Sequence, residues 1–148
     1  MAVLLRLVNL APCSAWPWFK GEQALILIIG GAYQGKLDYV LENYPGKSVV
    51  QCSVENPAID LSGDIINALH LLVLAQTRAG LDTLDFLREM LPKLKNKILI
   101  CDDICCGVVP VEHETRIWRE TMGRSLTLLS KNADEIVRVF CGIGNRIK

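Results

Sequence analysis

The sequence predicts an α/β fold, a three-layer sandwich built around a mainly parallel sheet. Two short, continuous apolar runs, residues 25–29 (LILII) and 98–101 (ILIC), have the length and composition of strands buried on both faces. Segments of helical character separate the strand-like runs, and strands alternating with helices return parallel neighbours through crossovers. With 148 residues, 51% of them hydrophobic, the chain has enough apolar material for one core. That core is assigned to residues 24–148, and residues 1–23 are read as an N-terminal extension.

Taken in order, the first strand (25–29) runs into a glycine-rich turn, and helix follows over 36–43 until Pro45-Gly46 ends it. Residues 48–53 (SVVQCS) alternate and are β-branched, which predicts a strand, and Asn56-Pro57 marks a break. Residues 65–78 read as one strongly apolar helix stopped by Gly80, and a second helix runs to Leu91 with Asp82 as its N-cap. The strand at 98–101 ends in Asp102-Asp103. A loop over 105–110 leads into a helix that begins near Glu112, and residues 135–140 form the last strand. The sequence contains no internal repeat and no low-complexity stretch.

The turn after the first strand carries the chemistry. Gly30, Gly31, Ala32, Tyr33, Gln34, Gly35 and Lys36 spell G-x-x-x-x-G-K, between a strand and a helix. Glycines at Gly30, Gly31 and Gly35 permit backbone angles that side chains forbid. Successive N–H groups then face a concavity at a helix N-terminus, where the helix dipole favours an anion. Lys36 is placed to neutralise the outer phosphates, so the expectation is a P-loop nucleotide-binding fold. The next position should be Ser or Thr, whose hydroxyl binds Mg²⁺ beside the nucleotide; here it is Leu37, which offers no oxygen.

Composition excludes several other functions. The net charge is zero, without a basic tail or patch, so nucleic acid is not an expected partner. Cys13, Cys52, Cys101, Cys105, Cys106 and Cys141 form no C-x-x-C pair, and only two histidines accompany them, so no zinc site is expected. Free, largely buried thiols and a reduced cytoplasmic setting fit this usage. Residues 1–19 start apolar, but Arg6 and Asn9 break the run, no small-residue cleavage site follows, and no segment approaches the roughly 18 apolar residues of a membrane span. Within the extension, Trp16-Pro17-Trp18 reads as an extended segment packing on the domain or on a neighbour. The extension as a whole reads as an added strand, an oligomer contact or an upstream start-site artefact.

The C-terminal third carries a family pattern. Residues 102–110 (DDICCGVVP) are followed by Arg116-x-Trp118-Arg119-Glu120-x-x-Gly123-Arg124, then Ala133-Asp134-Glu135-Ile136, then Gly142-Ile143-Gly144-x-x-Ile147-Lys148. That succession resembles the bifunctional adenosylcobinamide kinase and adenosylcobinamide-phosphate guanylyltransferase of cobalamin biosynthesis, whose usual pattern is N-E-V-G-x-G-I-V-P, R-x-F-R-D-x-x-G-x-x-N-Q, A-D-x-V and a Gly-Ile-Pro or Gly-Ile-Gly tail. The likeness runs without a gap over 102–148, is loose over 38–97 and is absent from 1–23. It implies a nucleotide, ATP or GTP, with Mg²⁺, and phosphorylation of the aminopropanol hydroxyl of adenosylcobinamide. It also implies GMP transfer through a covalently guanylylated histidine, and a homo-oligomer, commonly a trimer with sites between subunits.

On that resemblance Lys36 and Asp103 are the catalytic candidates, with Asp103 standing where the family has Glu. Asp103 and Asp60 are the candidate metal-facing carboxylates. Asp60, with Asp64 as its competitor, would take the place of the Asp that ends the family's second phosphate-facing strand (L-D-C-L-T). Arg116 and Arg119, three apart on a helix, are candidates for phosphate contact. Cys105 replaces a Gly, and Leu126-Thr127 replace the Asn-Gln pair. No histidine lies between Leu37 and Asp60, where the family's nucleophile falls in H-x-x-R-P-x-x-W, so the guanylyl-transfer half is expected to be lost. His70 is read as a structural residue of an apolar helix and His113 as a surface-loop residue. Three functions follow as expectations: a weak adenosylcobinamide kinase, a catalytically degenerate paralogue that binds a nucleotide or corrinoid as a sensor or oligomer subunit, or, third in order, a small-molecule kinase with a different alcohol substrate.

Overall fold

The computed structural model describes residues 24–148, so the extension, with Cys13 and the Trp16-Pro17-Trp18 segment, lies outside the described residues. The elements are β1 (Ile26–Gly30), α1 (Lys36–Asn43), β2 (Val49–Gln51), β3 (Ile65–Asn67), α2 (Leu69–Arg78), α3 (Thr83–Met90), a 3-10 turn (Leu91–Leu94), β4 (Ile98–Asp102), α4 (His113–Asn132), β5 (Glu135–Phe140) and β6 (Ile143–Arg146). The six strands form one sheet in the order β2-β3-β4-β1-β5-β6. Every neighbouring pair is parallel except β5 with β6.

β1 occupies the centre because both of its faces are apolar. Ile26 and Ile28 point to one side with Ile98, Ile100, Val137 and Val139, where Val40 and Tyr44 at the α1 end of the chain cover them. Leu25 and Leu27 point to the other side with Leu99 and Cys101, beneath Leu69, Leu72 and Val73 of α2, Leu87 of α3, and Met122 and Leu129 of α4. Alternation of period two on a strand buried on both faces gives this partition directly. Helices therefore cover both faces, three on one and α1 on the other, an arrangement compatible with a three-layer sandwich.

Two strands differ from the sequence expectation. Residues 65–78 are not one helix: Ile65 to Asn67 pair with β2 and β4, and the helix starts at Leu69. Ala68, at φ 58°, turns the chain between them. A short apolar run does not by itself distinguish a buried strand from the first turn of a helix. The second addition is β6, returned by a two-residue turn in which Cys141 (φ 50°) and Gly142 (φ 77°) both take positive φ, as a tight hairpin of right-handed twist requires.

Candidate functional site

The site is assembled at the carboxyl ends of the parallel strands, where open α/β sheets place ligands. Gln51, Asn67 and Asp102, the last residues of β2, β3 and β4, line a cavity of about 420 Å³ together with residues 32–38, Ala68, His70 and Leu71. The β1–α1 loop forms one wall of this cavity and the N-terminus of α2 another.

Within the loop the three glycines have different reasons. Gly35 precedes α1 at φ 75°, a left-handed conformation that glycine adopts without penalty. Gly30 does not need positive φ; a Cβ there would lie 2.3 Å from the Val139 carbonyl oxygen of β5, so the neighbouring strand admits no side chain. Gly31 has neither constraint, since a Cβ would meet only Gln34 Cγ, at 3.4 Å. Tyr33 takes the other left-handed position of the loop, at φ 59°, with its side chain fully exposed. The loop is braced from outside by the β5–β6 turn: the Cys141 N–H donates to Gln34 Oε1 at 2.7 Å and the Gly142 N–H to the Gln34 carbonyl at 2.9 Å.

Lys36 opens α1 and folds back over the loop. Its ammonium donates to the Gly31 carbonyl at 2.6 Å and pairs with Asp102 Oδ1 at 2.7 Å. The lysine is 6% exposed, so this is a buried cation held by one carboxylate. Asp102 reaches it because β4 runs in register with β1, Gly30 opposite Asp102. The first N–H groups of α1 have no partner within the helix, which leaves donors facing the cavity beside the lysine.

His70 completes the cluster. The Asp102 N–H donates to His70 Nδ1 at 3.2 Å, which fixes the neutral tautomer with the proton on Nε2, 3.8 Å from Asp102 Oδ2. Burial pushes the imidazole below its ordinary pKa, the Asp102 carboxylate opposes that shift, and the Lys36 ammonium adds to it. Trp118 of α4 donates its indole N–H to the His70 carbonyl at 2.8 Å, anchoring the start of α2. Below the cluster Cys101 is fully buried, and burial first, then the Asp102 charge, keeps its thiol protonated.

The other sequence-predicted residues lie elsewhere. Asp103 is next to Asp102, but its carboxylate accepts from the Cys106 thiol at 3.2 Å and lies 3.9 Å from Arg138. Asp60 accepts the Ser62 N–H in a loop turn, which holds its carboxyl below the usual range. Asp64 precedes β3 at the opposite end of the sheet and accepts the Ser48 N–H and hydroxyl at 3.0 and 2.9 Å. The residue that ends β3 inside the cavity is Asn67, whose amide donates to Gln51 Oε1 at 2.7 Å. Arg116 donates to the Pro110 and Val111 carbonyls, and Arg119 to those of Cys105, Gly107 and Val108, so both guanidinium groups hold the β4–α4 loop. Leu37 lines the cavity beside Lys36, and His113 is exposed at the start of α4.

Sequence reasoning passed over Asn67 and Gln51, read His70 as structural, and placed Asp102 with Asp103 at the ligand end of the sheet while choosing Asp103 as the catalytic carboxylate. Strand parity was the available signal for Asp102, since the last residue of a strand in register with Gly30 points to the same end as the loop. No group of three or more metal-binding side chains occurs among the described residues, and none of the described helices is long and apolar enough to cross a membrane. No protein-family model and no curated protein matches this chain.

Proposed function

We propose that this chain is a P-loop nucleotide-binding protein related to the adenosylcobinamide kinases, in which guanylyl transfer is lost and phosphoryl transfer to adenosylcobinamide is weak. The single observation that carries this reading is the β1–α1 loop, which ends in Lys36 and carries that ammonium back to the Gly31 carbonyl at the rim of the cavity. A phosphate chain of ATP or GTP entering there meets the free N–H groups of the first turn of α1 and the lysine, two complementary sources of anion stabilisation.

The magnesium ion that the family resemblance implies does not fit the side chains present. Leu37 offers no oxygen next to the lysine, an amide, Asn67, ends β3, and the Asp102 carboxylate that does reach the cavity is paired with Lys36 at 2.7 Å. Asp60 and Asp103 are occupied by Ser62 and by Cys106 with Arg138. Phosphoryl transfer lacking that charge stabilisation is slower by on the order of 10² to 10³. These substitutions favour a second reading of the same site, a degenerate paralogue that binds a nucleotide or corrinoid as a sensor or as a subunit of a homo-oligomer, with a trimer implied by the resemblance.

Thermal shift with millimolar ATP or GTP tests the binding. A ligand present at a hundred times its Kd stabilises the folded state by about 2.7 kcal/mol, and Lys36→Gln should remove the shift. The lost half-reaction is tested with labelled GTP: the expected result is no acid-labile guanylyl adduct, and an adduct on His70 or His113 would overturn it. Incubation with ATP and adenosylcobinamide separates the weak kinase from the degenerate paralogue.

A further inference from the structure

The charges around the cavity do not suit a polyphosphate as they stand. Lys36 is the one fixed cation among its lining residues, and Asp38 and Asp102 are both carboxylates. Two of the three N–H donors of the lysine are already engaged, by Asp102 Oδ1 at 2.7 Å and by the Gly31 carbonyl at 2.6 Å, so its charge is largely offset before a phosphate arrives. A polyphosphate on the remaining donor brings its own negative charge against the Asp102 carboxylate, whose side chain is 25% exposed. Of the lining side chains, His70 alone can change from neutral to cationic near neutral pH, and its Nε2 lies 3.8 Å from Asp102 Oδ2.

We propose that His70 supplies the missing charge: a polyphosphate binds this site together with a proton, which is held on His70 between the Asp102 carboxylate and the phosphates, and it binds without a divalent metal. The inference rests on the phosphate-site reading above and adds to it the ligand's ionic form and a further binding residue.

The resting geometry explains why the proton is absent until the ligand arrives. His70 Nδ1 accepts the Asp102 N–H, so an imidazolium has no lone pair for that donor and the ring must turn away from it. Burial and the Lys36 ammonium disfavour the charge further, while Asp102 is partly committed to the lysine. Phosphate entry reverses these influences by competing with Asp102 for the Lys36 ammonium and adding negative charge in front of the ring. The other groups that bear on His70 do not supply a proton site: Asp38 of α1 is exposed at the cavity rim, the Cys101 thiol of β4 stays protonated, and α4 presents the uncharged Trp118. The sign follows. Proton uptake makes binding tighter as pH falls, by up to about tenfold per pH unit between the free and the bound pKa of His70.

The test is calorimetric titration of the full chain with inorganic triphosphate in EDTA, in two buffers of different ionisation enthalpy, on wild type, His70→Gln and His70→Asn. The ligand's own titration is common to all three proteins and cancels in the comparison. The expected result is between half a proton and one proton more taken up by wild type than by either variant at pH 7. Wild-type affinity should also rise from pH 8 to pH 6 relative to both variants. Binding with equal proton counts in all three overturns this inference and leaves the phosphate site standing, as does binding that appears only when Mg²⁺ is added. Failure of wild type to bind triphosphate with or without Mg²⁺ overturns both.

Discussion

Gly30→Ala and Gly31→Ala, adjacent substitutions of identical chemistry, should behave very differently. At Gly30 the new methyl would sit 2.3 Å from the Val139 carbonyl oxygen, well inside contact distance, and the obstacle is backbone of the next strand. β1 pairs with β5 over four residues just before this point, from Ile26 with Glu135 to Ile29 with Arg138, so relief requires the two central strands to part. Overpacking of this kind costs about 1–3 kcal/mol, which in a domain of this size lowers Tm by about 3–10 °C. At Gly31 the methyl meets Gln34 Cγ at 3.4 Å, an ordinary contact at a position without positive φ, and the change should stay within about 0.5 kcal/mol of wild type. Calorimetric melting of the three proteins side by side measures this. Equal Tm values for the two variants would refute the argument that β5 closes on Gly30 and that the two glycines serve different purposes.

Three further outcomes follow from local contacts. Asp82→Ala removes the carboxylate that accepts the Leu84 and Asp85 N–H groups at 3.0 Å, and should cost about 1 kcal/mol in chemical denaturation with an unchanged m-value. Burial lifts the Cys52 thiol to about 11 and Cys101 further still, so iodoacetamide at pH 8 should modify both only after unfolding, while exposed Cys141 reacts in the native protein; mass spectrometry of the labelled peptides checks this. Ser48 holds the Asp64 carboxyl below its ordinary pKa, so its contribution is complete above about pH 4 and is lost as pH falls through the folded value. Asp64→Asn should therefore be less stable than wild type at pH 7, and the difference should shrink toward pH 2 in acid titrations followed by circular dichroism.

Much of the frame was legible because central parallel strands are buried on both faces and read as unbroken apolar runs, as in Ile26 to Ile29 and Ile98 to Cys101. The loop between β1 and α1 was legible for a related reason, since its glycines and lysine stand at fixed offsets between two recognisable elements. β3 was hidden because Ile65-Ile66 run into the apolar α2 with no glycine or proline between, and the chain turns there at an alanine held at positive φ. β6 was hidden by its turn, where cysteine takes a position that usually belongs to Asn, Asp or Gly. The cavity itself was harder to read. Asp102 and Asp103 are one residue apart in sequence, and only strand register determines which carboxylate meets Lys36. His70 gave no local signal, since an apolar helix surrounds it and its partner lies 32 residues away on another strand.

The central claim, that the β1–α1 loop receives a phosphate chain, is tested most directly by following the backbone amides of the ¹⁵N-labelled protein as ATP or GTP is added. A second cavity of about 380 Å³, lined by Leu25, Leu91, Pro92, Lys95, Asn132 and Asp134 at the amino ends of β1, β4 and β5, serves as an internal control. The account predicts shifts confined to residues 31–38, to Asn67, His70 and Leu71, and to Asp102, lost in Lys36→Gln. Shifts that gather instead around Leu91, Lys95 and Asp134, or none at millimolar nucleotide, would contradict it.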